Sequence, residues 1–253
     1  MRKGGNVMRK LVLWSAAVAV AGFLAAPAYA QSAKAAWRFE ELIGLTANTG
    51  GTTDTGWVNV LTTHIKTPNG KELAIGASLQ CGLVTDTTVR SKNGDLDSSA
   101  SRGKIAVRVE ITQPDGTVIY AQPANGADLE TDISLNGDGV TYCDRYQKLE
   151  ARFSGLNCTA DLTTGAVTCL DPEELQLVLK TLSAHHFNFI HANAVPGVHK
   201  VSVQARAQAG FLLGGTKLGA ASAEAFVGAG VLSVETIRLI KGTDGTTDLT
   251  NLN

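Results

Sequence analysis

The sequence predicts a mainly β fold, an antiparallel sandwich capped by one short helix. Three observations predict it: apolar and polar residues alternate over long runs, turn dipeptides recur between those runs, and one segment departs from alternation behind helix-start signals. Leu73, Ile75, Ala77, Leu79, Cys81 and Leu83 hold one parity against Glu72, Ala74, Gly76, Ser78, Gln80 and Gly82. Ile105, Val107, Val109 and Ile111, and then Val201, Val203, Ala205, Ala207 and Ala209, repeat the pattern. Period two with one apolar face is the signature of strands that bury one side and wet the other.

The first thirty residues stand apart from this pattern. Arg2, Lys3, Arg9 and Lys10 form a cationic head, residues 11–26 are an uncharged apolar run, and Ala28-Tyr29-Ala30 is a small-x-small cleavage site before Gln31. This is the plan of a secretory signal peptide cleaved after Ala30, too short for a stable membrane span. Met8-Arg9-Lys10 opens an equally good signal. Of the 22 Lys and Arg, those four leave with it, so 18 remain against 23 Asp and Glu, a net charge of −5. A mildly acidic chain with no basic run has no general attraction for nucleic acid or anionic lipid, so neither is an expected partner. No cysteine follows the cleavage site as a lipid anchor requires, and no membrane insertion is expected after cleavage. The expected location is a periplasm or the cell exterior.

Residues 31–56 read as an N-terminal segment and linker. Trp37, Phe39, Leu42, Ile43 and Leu45 supply an apolar stretch, and residues 46–56 are nearly all Thr, Gly, Asn and Asp. Residues 57–241 form a single sandwich domain, immunoglobulin-like in general architecture, though no motif names a family. Besides the three clear strands, weaker ones fall at 57–66, 118–121, 149–156, 186–193 and 231–241. Asn69-Gly70, Asn93-Gly94, Asn125-Gly126, Asn136-Gly137 and Pro114-Asp115-Gly116 supply turns that tolerate positive φ. Residues 91–103 read as a long exposed loop. The capping helix is expected over 172–184: Asp171-Pro172-Glu173-Glu174 supplies an N-cap, a proline at the first helical position and first-turn acids. Leu175, Leu177, Val178, Leu179 and Leu182 then form its apolar stripe. Residues 242–253 read as a flexible tail.

Four cysteines fit an oxidising compartment. Cys158 and Cys169 flank ten residues; a hairpin centred between Thr163 and Thr164 sets them directly opposite, close enough for a cross-strand disulfide. Cys81 and Cys143 are then left as a long-range staple. No CxxC-like spacing supports zinc.

Motifs for chemistry are sparse. His191 and His199, joined through 193–197, are the candidate metal ligands, placed on adjacent strands and lacking a third ligand in the sequence. Asn93, Asp95 and Asp97 open like an EF-hand loop, which fails at Ser98 and Lys104. Ser101-Arg102-Gly103-Lys104 matches S-x-x-K by chance, without the K-T-G element. No catalytic motif and no cofactor fingerprint is present. The expected function is therefore an exported non-enzymatic sandwich with a binding or assembly role. The N-terminal apolar segment either docks on its own sandwich or adds to a neighbour's sheet, giving self-association or capture of another exported protein. The alternatives are an exported zinc or copper protein using His191 and His199, and an envelope or extracellular hydrolase. The last requires a concave pocket with paired carboxylates or a Ser beside a His.

Overall fold

The computed structural model describes residues 34–69, 71–91, 95–135, 137–152, 158–169 and 173–238. The expected signal peptide, the expected flexible tail, Asn93 and the Asp171-Pro172 pair lie outside these residues. Among the described residues every regular element is a strand. They are β1 (Ala35–Glu40), β2 (Leu45–Asn48), β3 (Val58–Thr67), β4 (Glu72–Ser91), β5 (Leu96–Thr112), β6 (Val118–Tyr120), β7 (Val140–Arg152), β8 (Cys158–Ala160), β9 (Val167–Cys169), β10 (Glu173–His191), β11 (Gly197–Gly215) and β12 (Ala220–Ile237).

Two antiparallel sheets pack together as a β-sandwich. Sheet I runs β10-β4-β12, with β1 and β2 one after the other along the far side of β12. Sheet II runs β3-β11-β5, with β6 and β7 sharing the far side of β5. The alternating residues named above line the interior: Leu73, Ile75 and Leu79 of β4 lie with Ile105, Val107, Val109 and Ile111 of β5 and Val201 and Val203 of β11 in one buried core. Burying side chains of this size contributes roughly 1.5–3 kcal/mol each, which is why the parity is fixed so firmly.

Alternation continues past the apolar runs in polar residues. Thr85 and Thr87 extend the buried face of β4, and Gln147 of β7 answers them: its Oε1 accepts from the Thr85 hydroxyl at 2.8 Å, and its amide donates to Thr87 Oγ1. The exposed loop expected over 91–103 is instead largely the start of β5, whose Asp97, Ser99 and Ser101 are buried. Asp97 accepts from the Arg90 N–H (2.8 Å) and the Thr216 hydroxyl (2.9 Å), so it is a structural acid joining two strand ends. Ser101 faces the interior and Lys104, of opposite parity, the outer side, which removes the S-x-x-K match.

The helix expected over 172–184 is not formed. Residues Glu173–His191 are one strand paired with β4 without a break, from Glu173↔Ser91 to His191↔Leu73. Leu175, Leu177 and Leu179 fit period two as well as a helical stripe, and a 20-residue neighbour offers a full ladder of backbone hydrogen bonds. The linker expected over 46–56 is also tied down. β2 pairs with Leu45↔Val227 through Asn48↔Glu224, and Arg206 grips the Asp54 carboxylate from β11, holding it below the usual carboxylate range.

Sheet II carries buried charge on its outer side. Arg102 (1% exposed) and Lys104 (0%) project from β5 beneath the segment 121–135, whose Ile133 packs where a Cβ on Gly210 would sit 2.7 Å away. Arg102 forks onto Asp144 (Nε–Oδ1 3.0 Å, Nη2–Oδ2 2.5 Å) and also donates to Asp128, Thr131 and the Ile133 carbonyl. Lys104 Nζ meets Asp128 at 2.9 Å. Burial alone would raise the Asp128 carboxyl, but the Lys104 hydrogen bond and charge, and then Arg102, hold it below the usual range.

Removing one member of such a buried set strands its partners, at a cost of roughly 3–5 kcal/mol. Arg102→Met is therefore expected to lower the unfolding free energy by about that much in chemical denaturation. Because the Asp128 and Asp54 carboxyls are depressed in the folded chain, wild-type stability should also be full above about pH 4 and fall as pH drops below it. A near-neutral Arg102→Met effect would contradict this reading.

Candidate functional site

β10 forms one edge of sheet I, and along most of its length it overhangs the opposite sheet. Its inward row, Leu175, Leu177 and Leu179, stays 46%, 39% and 41% exposed. Near its end the edge is closed by Gln122, whose N–H donates to the Ile190 carbonyl and whose carbonyl accepts the Ile190 N–H, both at 2.8 Å. That exchange fixes which backbone groups point out of the sheet. The unbroken register carries the same orientation to the even residues Glu174, Gln176, Val178 and Lys180. Among the described residues no strand pairs with their N–H and C=O groups, which form an open edge flanked by leucines, the arrangement that templates further strand pairing.

Beside this edge lies a cavity of about 270 Å³, lined by Cys81, Leu83, Tyr142, Cys143, Asp144, Arg145, Thr181, Ser183 and His185. Tyr142 closes its inner end. Its hydroxyl accepts the Leu79 N–H (3.0 Å) and donates toward the Ala77 and His185 carbonyls; burial pushes its pKa up to about 12, so it stays neutral. Ser183 Oγ lies 2.8 Å from His185 Nε2. This is the Ser-beside-His contact that a hydrolase requires, but both oxygens of the adjacent Asp144 are held by Arg102 instead of orienting the imidazole. Arg145 donates from Nη2 to Thr181 Oγ1, and its Nη1 is buried without a hydrogen-bond partner.

His191 and His199 do meet, with ring centroids 6.3 Å apart. They sit on facing sheets, at the end of β10 and near the start of β11, and not on adjacent strands of one sheet as expected from sequence. His199 is fully buried; its Nε2 donates to the Val195 carbonyl at 2.8 Å and its Nδ1 has no partner. His191 Nε2 and Thr67 Oγ1 are likewise buried and unpartnered. Burial, then the neighbouring His199, pushes the His191 imidazole below its ordinary value. Among the described residues no third His, Cys, Asp or Glu joins the pair.

The N-terminal segment docks on its own chain. β1 pairs with β12 from Ala35↔Glu235 to Glu40↔Gly230, leaving Trp37, Phe39 and Leu42 exposed, while Ile43 and Leu45 pack on the core. Cys81 and Cys143 stand at disulfide distance with Cα atoms 6.8 Å apart, joining β4 of sheet I to β7 of sheet II. Cys158 and Cys169 are direct register partners in the β8–β9 hairpin, as the spacing predicted. Trp57 and Tyr120 flank the Arg108 guanidinium at 4.3 and 4.5 Å.

Reading 172–184 as a helix concealed both the edge and the cavity. In a strand, Thr181, Ser183 and His185 share one face; in a helix Ser183 would turn away from the other two. Arg145 lies ahead of residue 149, where that strand was expected to start, so alternation there gave no sign of its inward face.

No family model matches the chain, and no curated protein is similar to it. Among solved structures, the structure of infectious bursal disease virus Gx strain is similar over 81% of this chain and 42% of that chain, at 11% identity and a TM-score of 0.18. The chain thus spans less than half of that one, and the likeness is too loose to carry an argument.

Replacing Cys81 and Cys143 together by serine removes a crosslink spanning 62 residues, and in the chain-entropy model this costs about 4 kcal/mol. Denaturation of the double variant against wild type measures it. An unchanged midpoint, or free thiols at both positions in the oxidised chain, would show that the staple does not form.

Proposed function

We propose that this is an exported, non-enzymatic β-sandwich that pairs with a second copy of itself through the β10 edge. The immunoglobulin-like description is kept only for its two-sheet antiparallel plan. The carrying observation is the open edge over 173–181, with three half-exposed leucines on one side of the strand and charges of both signs on the other.

One antiparallel register satisfies all of these groups. A two-fold axis at Leu177 sets Leu177 against its own copy and Leu175 against Leu179, all on the inward face. On the outer face Glu174 meets Lys180, twice by symmetry. Glu174, Gln176, Val178 and Lys180 are the residues whose backbone groups point outward, so they fall in hydrogen-bonded pairs and supply about eight backbone bonds. The leucines fall in the closer, non-hydrogen-bonded pairs. A shift by one residue would turn the apolar row against the wrong face. Glu174 already meets Arg90 at 2.7 Å in an exposed pair, which leaves its second oxygen for Lys180.

Native mass spectrometry and sedimentation of the chain, made through an oxidising secretory route, test the register. Wild type is expected to dimerise. Lys180→Glu alone, or Glu174→Lys alone, sets like charges opposite and should weaken the dimer several-fold; the double swap should restore it. A wild-type monomer at all concentrations, or a double swap no better than the singles, would sink the reading.

A second reading, a zinc or copper site at His191 and His199, is favoured by the buried unpartnered nitrogens of the two rings. It predicts one metal equivalent per chain and at least a tenfold loss of affinity in the double alanine variant, measured by titration with Cu(I) and Zn(II). Equal affinity in the variant would end it.

A further inference from the structure

The cavity beside β10 has a chemistry that the edge pairing does not use. Its lining holds one cation and one anion, but the anion is spent: Asp144 receives the Arg102 fork on both oxygens. Arg102, Lys104, Asp128 and Asp144 form a balanced set of two positive and two negative charges. Among the described residues Arg145 makes no ion pair, and its Nη1 donors are buried without an acceptor. A guanidinium in that state carries a desolvation cost that an acceptor in the cavity would relieve.

The hydroxyls beside it are arranged as donors. Thr181 Oγ1 already accepts from Arg145 Nη2, so its own proton is free for another partner. Ser183 Oγ lies 2.8 Å from His185 Nε2 and 3.7 Å from Cys81 Sγ; when the imidazole nitrogen carries the proton, Ser183 accepts it, and its own hydroxyl proton, directed at a weak sulfur acceptor, can turn to a ligand. Thr181, Ser183 and His185 alternate on the inward face of β10, opposite Arg145 on β7. Donors from both sheets thus converge on the same space.

We propose that this cavity binds a small monocarboxylate, held by Arg145 Nη1 and by the hydroxyls of Thr181 and Ser183. The volume, about 270 Å³, suits a ligand of a few heavy atoms. One net positive charge matches a monoanion, whereas phosphate carries about −1.5 to −2 at pH 7. The planar carboxylate also fits the guanidinium fork. Arg145 on β7 and Ser183 lie outside the two-fold register, so variants at these two positions test this site without altering the charge pairs of the dimer.

The test is titration of the full chain with sodium acetate and sodium butyrate at fixed ionic strength, followed by ligand-observed NMR and thermal shift. Inorganic phosphate and chloride serve as comparison anions. Saturable carboxylate binding is expected, weakened at least tenfold in Arg145→Met and about threefold in Ser183→Ala, with Arg145→Lys retaining part of it. If Arg145→Met does not fold, Ser183→Ala and Arg145→Lys carry the test. Absence of saturable binding by folded wild type overturns the proposal, as does binding undiminished in the folded variants. Phosphate binding more tightly than acetate overturns the carboxylate assignment.

Discussion

The pairing of β10 with β4 is the interaction on which the rest of the account depends. Nineteen consecutive residues of β10 follow β4 in unbroken antiparallel register, from Glu173↔Ser91 to His191↔Leu73. That ladder forces the Leu-rich segment to be a strand, although its local signals suit a helix. It also carries β10 past the cover of the opposite sheet. Three features follow: an open edge with defined backbone orientation, a row of uncovered leucines, and a cavity whose floor is the inward face of β10. His191 is placed by the same ladder, because the last pair of the register brings it to the end of the core, against His199.

The second constraint is the closure of the sheets upon each other. Cys81 and Cys143 join β4 to β7, and Tyr142, next to Cys143, reaches across to the backbone of β4 at Ala77 and Leu79. Gln147 on the same strand bridges to Thr85, Thr87 and the Leu177 carbonyl. β7 is thus held to sheet I at three levels while it is paired to β5 in sheet II. Its outward-facing Asp144 joins the buried set around Arg102, so one strand links the inter-sheet contacts to the charge layer beneath 121–135. This places Arg145, between Asp144 and Gln147, at the cavity, where its guanidinium donates to Thr181.

Much of the core was legible because burial enforces parity. The runs through Leu73–Leu83, Ile105–Ile111 and Val201–Ala209 are buried in the parity read from the sequence. The β8–β9 register followed from counting residues between Cys158 and Cys169, and the Cys81–Cys143 pair from elimination. What was lost shares a physical cause. Thr85, Thr87, Ser99 and Ser101 alternate as strictly as the leucines do, but hydropathy does not register a buried hydroxyl. Arg102 fell in the stretch expected to be an exposed loop, and the burial of Arg102 and Lys104 was not legible because the segment that covers them lies some thirty residues away in sequence. Leu175, Leu177 and Leu179 fit two periods at once, and only the length of β4 decides between them. Of the candidate site, His191 was paired with His199 from their spacing, but on adjacent strands where the structure sets them on facing sheets, while Arg145, Thr181, Ser183 and His185 required the strand assignment first.

Hydrogen–deuterium exchange of the β10 amides, followed residue by residue at high and low protein concentration, tests the edge account most directly. The account predicts that Glu174, Gln176, Val178 and Lys180 are protected at high concentration and lose protection on dilution, while Leu175, Leu177 and Leu179, bonded to β4, stay protected throughout. Rapid exchange of the even residues at every concentration would contradict it, and so would rapid exchange of all seven, which would mean that β10 is not the strand on which the account stands.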